Sequence, residues 1–286
     1  MEASSAAMLP PMDTDRFMPI EPPGARLAYG AAGDSGSPVL LLMGFAMPGR
    51  AWRHQAPVLA RHHRVAFLDN RGSGNTEAPP GAYSMGLLAA DAIALMDHLG
   101  WEDAHVVGVS MGGMVAQHLA LGHRRRLRSL TLIVTHPGGP RHLAASMWGL
   151  SGFLRVNLAR TEEARLEALE RLLFPASFLA SCDRALVREN LRRDLDVKST
   201  SRKRLSQLAA VLRHDVRARL GELAGLPTLV VKAEKDILVH PSSSDYLHGA
   251  IPGSRLLPIP GAGHGVIRQC HAELNQALLA HFSEVG

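Results

Sequence analysis

The sharpest chemical signal in the chain is five residues, Gly108-Val109-Ser110-Met111-Gly112, with Gly113 following. They lie where an aliphatic run, His105-Val-Val-Gly-Val-Ser110, meets a helical pattern over Met114 to Leu121. A strand that turns abruptly into a helix strains the backbone of the corner residue, and side chains two positions before and after it would strike neighbouring backbone. Glycine at both positions meets that demand. The corner leaves the Ser110 hydroxyl exposed and sets the N–H of Met111 at a helix N-terminus, aimed at developing negative charge. This is a setting for a nucleophilic serine, although an ordinary glycine-rich turn shares the pattern.

A serine hydroxyl is a weak nucleophile and needs a base, which in turn needs an orienting acid. Two later loops supply candidates. Lys232-Ala-Glu-Lys-Asp236 follows a predicted strand, and Pro260-Gly-Ala-Gly-His264-Gly265 follows the last one. His264 stands out among 15 histidines because it sits in a glycine turn at a strand end, in the order Ser, Asp, His. Asp236 is preferred to Glu234, which is still close to the strand pattern. His240, close behind Asp236, and His271, at the start of the final helix, are weaker candidates for the base.

The elements that must position these groups alternate. Pro38 to Met43, His63 to Asp69, His105 to Ser110 and Leu127 to Val134 read as strands. Helical patterns over Ala51 to Ala60, Tyr83 to Leu99 and Met114 to Leu121 separate them. Repeated alternation of this kind predicts a parallel sheet covered on both faces. From Arg141 to about Leu223 the pattern is charged, amphipathic helix without a strand. The strand rhythm then returns at Thr228 to Ala233 and Arg255 to Ile259, with a last helix over His271 to Phe282. Residues 23–137 and 227–286 are therefore expected to form the core, with 138–226 a helical cap over the carboxyl ends of the strands. Residues 1–22, rich in Ala and Pro, are expected to be a loose arm.

Composition excludes several alternatives. The 286 residues are 46% hydrophobic and 20% charged, which suits a sizeable core. No apolar run approaches the roughly 18 residues a membrane span needs. The N-terminus lacks the basic and apolar regions of a secretory signal, and the two cysteines, Cys182 and Cys270, are far apart. A cytoplasmic location is the expectation. The net charge of +5 arises in the helical segment, where 16 Lys and Arg face 10 Asp and Glu with alternating sign, as on a solvated surface. The densest cluster, His123 to Arg128, has no interleaved aromatics, so nucleic acid is not the expected partner. Gly72-Ser-Gly74 and Gly261-Ala-Gly263 both fail as dinucleotide fingerprints, since Glu77 and Val266 stand where a third glycine belongs.

With these residues in view, the chain resembles the α/β-hydrolase superfamily, in its small, capped esterase and lactonase branch that includes 3-oxoadipate enol-lactonase-like hydrolases. The resemblance runs from about Ala25 to the C-terminus. It is carried by Leu42-Met43-Gly44-Phe45, Asp69-Asn70-Arg71-Gly72-Ser73-Gly74, the serine turn, Asp236 and His264. It implies an α/β fold with a mostly parallel central sheet, helices on both faces and an inserted helical cap. It also implies Ser110 as nucleophile, His264 as base and then acid, Asp236 as the group that holds the imidazole, and an oxyanion hole from the backbone N–H groups of Phe45 and Met111. No metal or cofactor is needed. Many relatives have His-Gly where this chain has Met43-Gly44, which puts the detailed loop geometry in question.

The expected substrate is a small carboxylic ester or lactone. Cleavage of a C–C bond, thioester or amide on the same triad, or a slow-turnover ligand sensor of the same fold, are the alternatives. Met147, Trp148 and Phe153, with Phe45, Met111 and Leu150, would line an apolar cleft under the cap; Met147 to Phe153 would equally serve as cap core. The oligomeric state is not legible.

Overall fold

A computed structural model describes residues 13–145, 147–195 and 200–285. Eight strands form one sheet: β1 (Arg16–Ile20), β2 (Ala25–Ala32), β3 (Pro38–Leu42), β4 (Arg64–Leu68), β5 (Ala104–Val109), β6 (Leu127–Ile133), β7 (Thr228–Ala233) and β8 (Arg255–Ile259). Their spatial order is β1-β2-β4-β3-β5-β6-β7-β8. The six strands from β4 to β8 in that order run parallel, while β2 is antiparallel to β4 and β1 to β2.

Between β3 and β7 lie α1 (Ala56–Leu59), α2 (Met85–His98), α3 (Met111–Gly122), α4 (Pro140–Ala145), α5 (Met147–Leu158), α6 (Glu162–Leu173), α7 (Ala176–Ser181), α8 (Arg184–Leu195) and α9 (Ser201–Arg213). After β7 come α10 (Ser242–Ala250), α11 (Val266–Gln269) and α12 (His271–Ser283). The helices α4 to α9 all fall between β6 and β7, where the sequence shows only helical pattern.

The alternation of a strand's side chains divides the core between two faces. Leu40, Leu42, Val106 and Leu132 pack with α2 and α3 through Leu88, Leu95, Met114 and Val115. Val39, Leu41, Val107 and Ile133 pack on the opposite face with Trp52, Leu59 and, from α12, Leu274, Leu278 and Phe282. Each fully buried side chain of this kind contributes roughly 1.5–3 kcal/mol. The helical segment has a smaller cluster of its own around Leu166, Leu172, Phe174 and Leu191.

Three findings differ from the reading of the sequence, the first being strand β2 at Ala25–Ala32, which the residue pattern does not predict. Arg16–Ile20, inside the expected arm, is an edge strand in register with β2, and it buries Met18 and Ile20. Pro19 hides the strand pattern but is tolerated at an edge, where its missing N–H removes no ladder bond. Residues 1–12 of that arm lie outside the described residues. The helix expected over Ala51 to Ala60 is instead a 3₁₀ turn at Gly49–Trp52 followed by the short α1.

Register aligns the strand ends. Leu42 pairs with Gly108, Gly108 with Leu132, Ile133 with Val231, and Ala233 with Ile259. The loops after β3, β5, β6, β7 and β8 therefore leave the sheet along one edge, which is what brings residues from five parts of the chain into reach of one another.

Candidate active site

Ser110 lies at the junction of β5 and α3 with φ 54° and ψ −121°. A non-glycine residue persists in that region only where its surroundings over-determine it. Here they do. The Ser110 N–H donates to the Ile133 carbonyl at 2.9 Å, and its own carbonyl accepts from Gly113 N–H at 2.9 Å and from Thr135 Oγ1 at 2.7 Å. A Cβ at position 108 would collide with the Gly112 carbonyl, and one at 112 with the Leu42 carbonyl, so the close approach of β3, β5 and α3 requires glycine at both. The Ser110 side chain remains half-buried, at the start of α3, whose first N–H groups have no acceptor within the helix.

Asp236 and His264 meet across the ends of β7 and β8. His264 Nδ1 lies 2.8 Å from Asp236 Oδ2, and both side chains are buried. The other carboxylate oxygen accepts from the N–H groups of Leu238 at 2.8 Å and Val239 at 3.0 Å, which leaves the carboxylate no freedom to rotate. The carboxylate acceptor places the imidazole proton on Nδ1, so Nε2 carries the lone pair. The two loops are tied together by Lys235 N–H on the Ala262 carbonyl at 2.8 Å. Gln269 bridges Gly263 N–H and the Gly261 carbonyl, holding the glycine turn in shape.

Among the described residues no hydrogen bond joins Ser110 Oγ to His264, a contact that in the free form of such sites is often long and tightens with substrate. The rival residues are placed elsewhere. Glu234 is exposed, His240 is exposed and bonded to Ser242, and His271 stacks on His54 at 4.9 Å between ring centres.

Phe45 follows β3 in a loop that faces the serine; a Cβ at Gly44 would lie 3.2 Å from Ser110 Cβ. The loop begins at the Met43 carbonyl, which accepts from Asn70 Nδ2 at 2.9 Å, and continues into Ala46, whose φ of 54° is again left-handed. Met147, Trp148 and Phe153 belong to α5, but their side chains lie outside the described residues.

Comparison with known proteins decides the family. A model of the alpha/beta hydrolase fold family matches residues 37–267. The chain belongs to the alpha/beta hydrolase fold family. A protein of Azorhizobium caulinodans with the provisional name carbamate hydrolase RutD is 29% identical over 260 residues, covering 88% of this chain and 93% of that one. The structure of a thermophilic esterase from Thermogutta terrifontis is 29% identical, with a TM-score of 0.76 over 92% of this chain and 96% of the esterase. The enol-lactonase from Burkholderia xenovorans shares the fold at 23% identity, with a TM-score of 0.81 over 94% of this chain and all of that one. Among the described residues no helix is long and apolar enough to cross a membrane.

The α/β hydrolase also places residues at this edge that the sequence did not single out. Val134, at the end of β6, has φ 43°, which is a true outlier for a β-branched side chain. The kink delivers Thr135 to the Ser110 carbonyl and His136 into the same region. His136 Nδ1 accepts from Gly138 N–H at 3.0 Å, so its proton sits on Nε2. Burial, then the neighbouring His142 and His264, lower its pKa to about 4. Nothing local in the sequence distinguishes it from the other histidines.

Asp69, at the end of β4, is fully buried and accepts from Gly49 N–H at 2.6 Å, Asn75 N–H at 2.6 Å and Thr14 Oγ1 at 2.7 Å. Burial raises its pKa against the pull of those donors. Two residues on, Arg71 makes a two-bond pair with Asp91, both bonds 2.6 Å and both side chains buried. Asp69 and Arg71 stood out in the sequence as parts of one motif; their partners Thr14 and Asp91 had no visible link to it.

Proposed function

We propose that the chain is a serine hydrolase that cleaves a carboxylic ester or lactone through an acyl-enzyme. The observation that carries this reading is the Asp236–His264 pair at 2.8 Å, held by two backbone N–H groups at the same sheet edge as the strained Ser110. Ser110 Oγ attacks the carbonyl carbon while His264 Nε2 takes its proton. The N–H groups of Phe45 and Met111 stabilise the oxyanion, a donor of this kind being typically worth about 3–4 kcal/mol. The tetrahedral adduct collapses, the alcohol leaves with the proton from His264, and Ser110 keeps the acyl group. Water then attacks the acyl carbon, His264 takes its proton, and the acid departs as the proton returns to Ser110 Oγ. Asp236 holds the imidazole in the required tautomer and stabilises its charged form.

Residues 138–226 act as the cap, and substrate enters between it and the strand ends. The likeness to an esterase at 29% identity supports an ester as substrate. The name of the A. caulinodans relative favours a second reading, in which the same acyl chemistry expels nitrogen from a carbamate. The unpaired Cys182 and Cys270 agree with a reducing, cytoplasmic setting.

The test is turnover of aryl esters of increasing acyl length, a lactone and an aryl carbamate, by wild type and Ser110→Ala. Repeated turnover that falls by about three orders of magnitude or more in the variant supports the reading, and the preferred substrate names the bond. Equal activity of the two proteins refutes Ser110 as nucleophile. A single turnover that stops at the acyl-enzyme would instead identify a sensor.

A further inference from the structure

Gln207 lies on α9, 161 residues beyond the loop it touches, and is fully buried. Its Oε1 accepts from the Ala46 N–H at 2.9 Å. Its Nε2 donates to the Arg71 carbonyl at 2.6 Å and meets Ser73 Oγ at 2.9 Å. The orientation of this amide is fixed by its partners: the Arg71 carbonyl can only accept and the Ala46 N–H can only donate. The far end of the strut is firm, because Arg71 is itself locked on Asp91.

The peptide Gly44–Phe45 carries the N–H assigned above to the oxyanion hole. The peptide before it is pinned by Asn70 through the Met43 carbonyl. The peptide after it is pinned by Gln207 through the Ala46 N–H. The donor therefore sits between two flanking peptide planes, each held by a buried side-chain amide. The second anchor also holds Ala46 in a left-handed conformation that an alanine would otherwise leave. The peptide between the anchors is itself held through the Gly44 carbonyl, which accepts from Met47 N–H at the longer distance of 3.3 Å, and losing the Gln207 anchor frees its C-terminal neighbour to turn.

We infer that Gln207 is a positioning residue for the reaction: it sets the direction of the Phe45 N–H, and so makes the oxyanion hole depend on the docking of α9. This rests on the proposed roles of Ser110 and Phe45. Gln207 touches no reacting atom, and its contribution arises where negative charge develops, in the transition state.

The experiment compares wild type, Gln207→Met and Ser110→Ala on the best aryl ester, with an alkylboronic acid as a tetrahedral, oxyanion-bearing probe. Methionine keeps length and bulk and removes both hydrogen-bonding ends. Loss of one oxyanion donor typically costs 10²–10³ in kcat, so a misdirected one should cost about 10- to 100-fold. KM should stay within about threefold, and boronate affinity should fall in step with kcat. A purely structural role would lower stability and leave kcat per folded molecule and boronate affinity unchanged. That result, with Ser110→Ala inactive, overturns the inference and leaves the serine reading standing; an active Ser110→Ala overturns both. Should Gln207→Met not fold, hydrogen exchange on wild type decides. The Ala46 amide should exchange at least about 100-fold slower than a free loop amide, and exchange at the free rate overturns the inference.

Discussion

Acid should unfold this protein unusually early, through histidines that are buried neutral. His105 is fully buried between Ser129 at 2.8 Å and Ser37 at 3.2 Å and stacks on Phe282, with its pKa lowered to about 3, first by burial. His214, lowered to about 3, and His136, lowered to about 4, are also buried. In the unfolded chain each titrates near 6.5. The unfolded state therefore takes up protons first as pH falls, and the stability present above pH 6.5 is lost as pH falls from 6.5 toward about 3, the His136 share by about 4.

With three more protons bound on unfolding, the slope approaches roughly 4 kcal/mol per pH unit in the middle of that window, as an upper figure. One unit below 6.5 the loss is already about 4 kcal/mol, a large part of a typical 5–15 kcal/mol stability. His54, also lowered to about 4 but partly exposed, adds less. Asp69 and Asp91, raised by burial, act with the opposite sign, gaining protons in the folded state as pH falls through the carboxylate range. The clean window is therefore pH 5–6.5. Urea unfolding at fixed pH between 5 and 8, followed by circular dichroism, gives the slope. A stability flat to within about 1 kcal/mol from pH 7 to 5 would refute the reasoning. In His105→Gln the slope should fall by about one proton whatever the variant's absolute stability.

Asp91→Ala should cost about 3–5 kcal/mol in urea unfolding, because it leaves the buried Arg71 guanidinium without its partner. Replacing both, Arg71→Met with Asp91→Leu, should recover most of that loss; a double variant as unstable as the single one would contradict it. Gly112→Ala drives a methyl group into the Leu42 carbonyl. It should lower kcat by at least about 100-fold in whatever fraction folds, since the strands can part only by moving Ser110. Near-normal kcat with normal stability would show that this approach is slack.

How much could be read from the residues alone depended on how local their signals were. Strand β3 is a continuous aliphatic run buried on both faces, and β5, β6 and β7 carry shorter aliphatic stretches broken by polar residues such as His105, Ser129 and Thr131, a pattern that suits a covered parallel sheet. The serine turn announces itself because its glycines lie within five residues. β1 and β2 were harder: proline interrupts the first, and the second is built from small residues around Tyr29 that carry little periodicity. Asp236 and His264 were legible from chain order and strand ends, although their mutual contact is a matter of sheet register. Gln207 was not legible at all. On its own helix it is one polar residue among Arg, Lys and Ser, and its meaning lies in a loop 161 positions away.

The helices between β6 and β7 hold the strand-end loops one by one. The Leu173 carbonyl accepts from Gly265 N–H at 2.8 Å beside His264, Asp194 on α8 binds both Arg53 and Arg268, and Gln207 holds Ala46. This segment is therefore a poor unit of exchange. A chimera that takes its corresponding stretch wholesale from a relative, in order to import that relative's substrate range, would also import the wrong braces. It should come out slow on every substrate rather than selective for a new one. Under the cap role proposed above, redesign of specificity belongs at positions that touch none of these three contacts, so that the scaffolding stays in place.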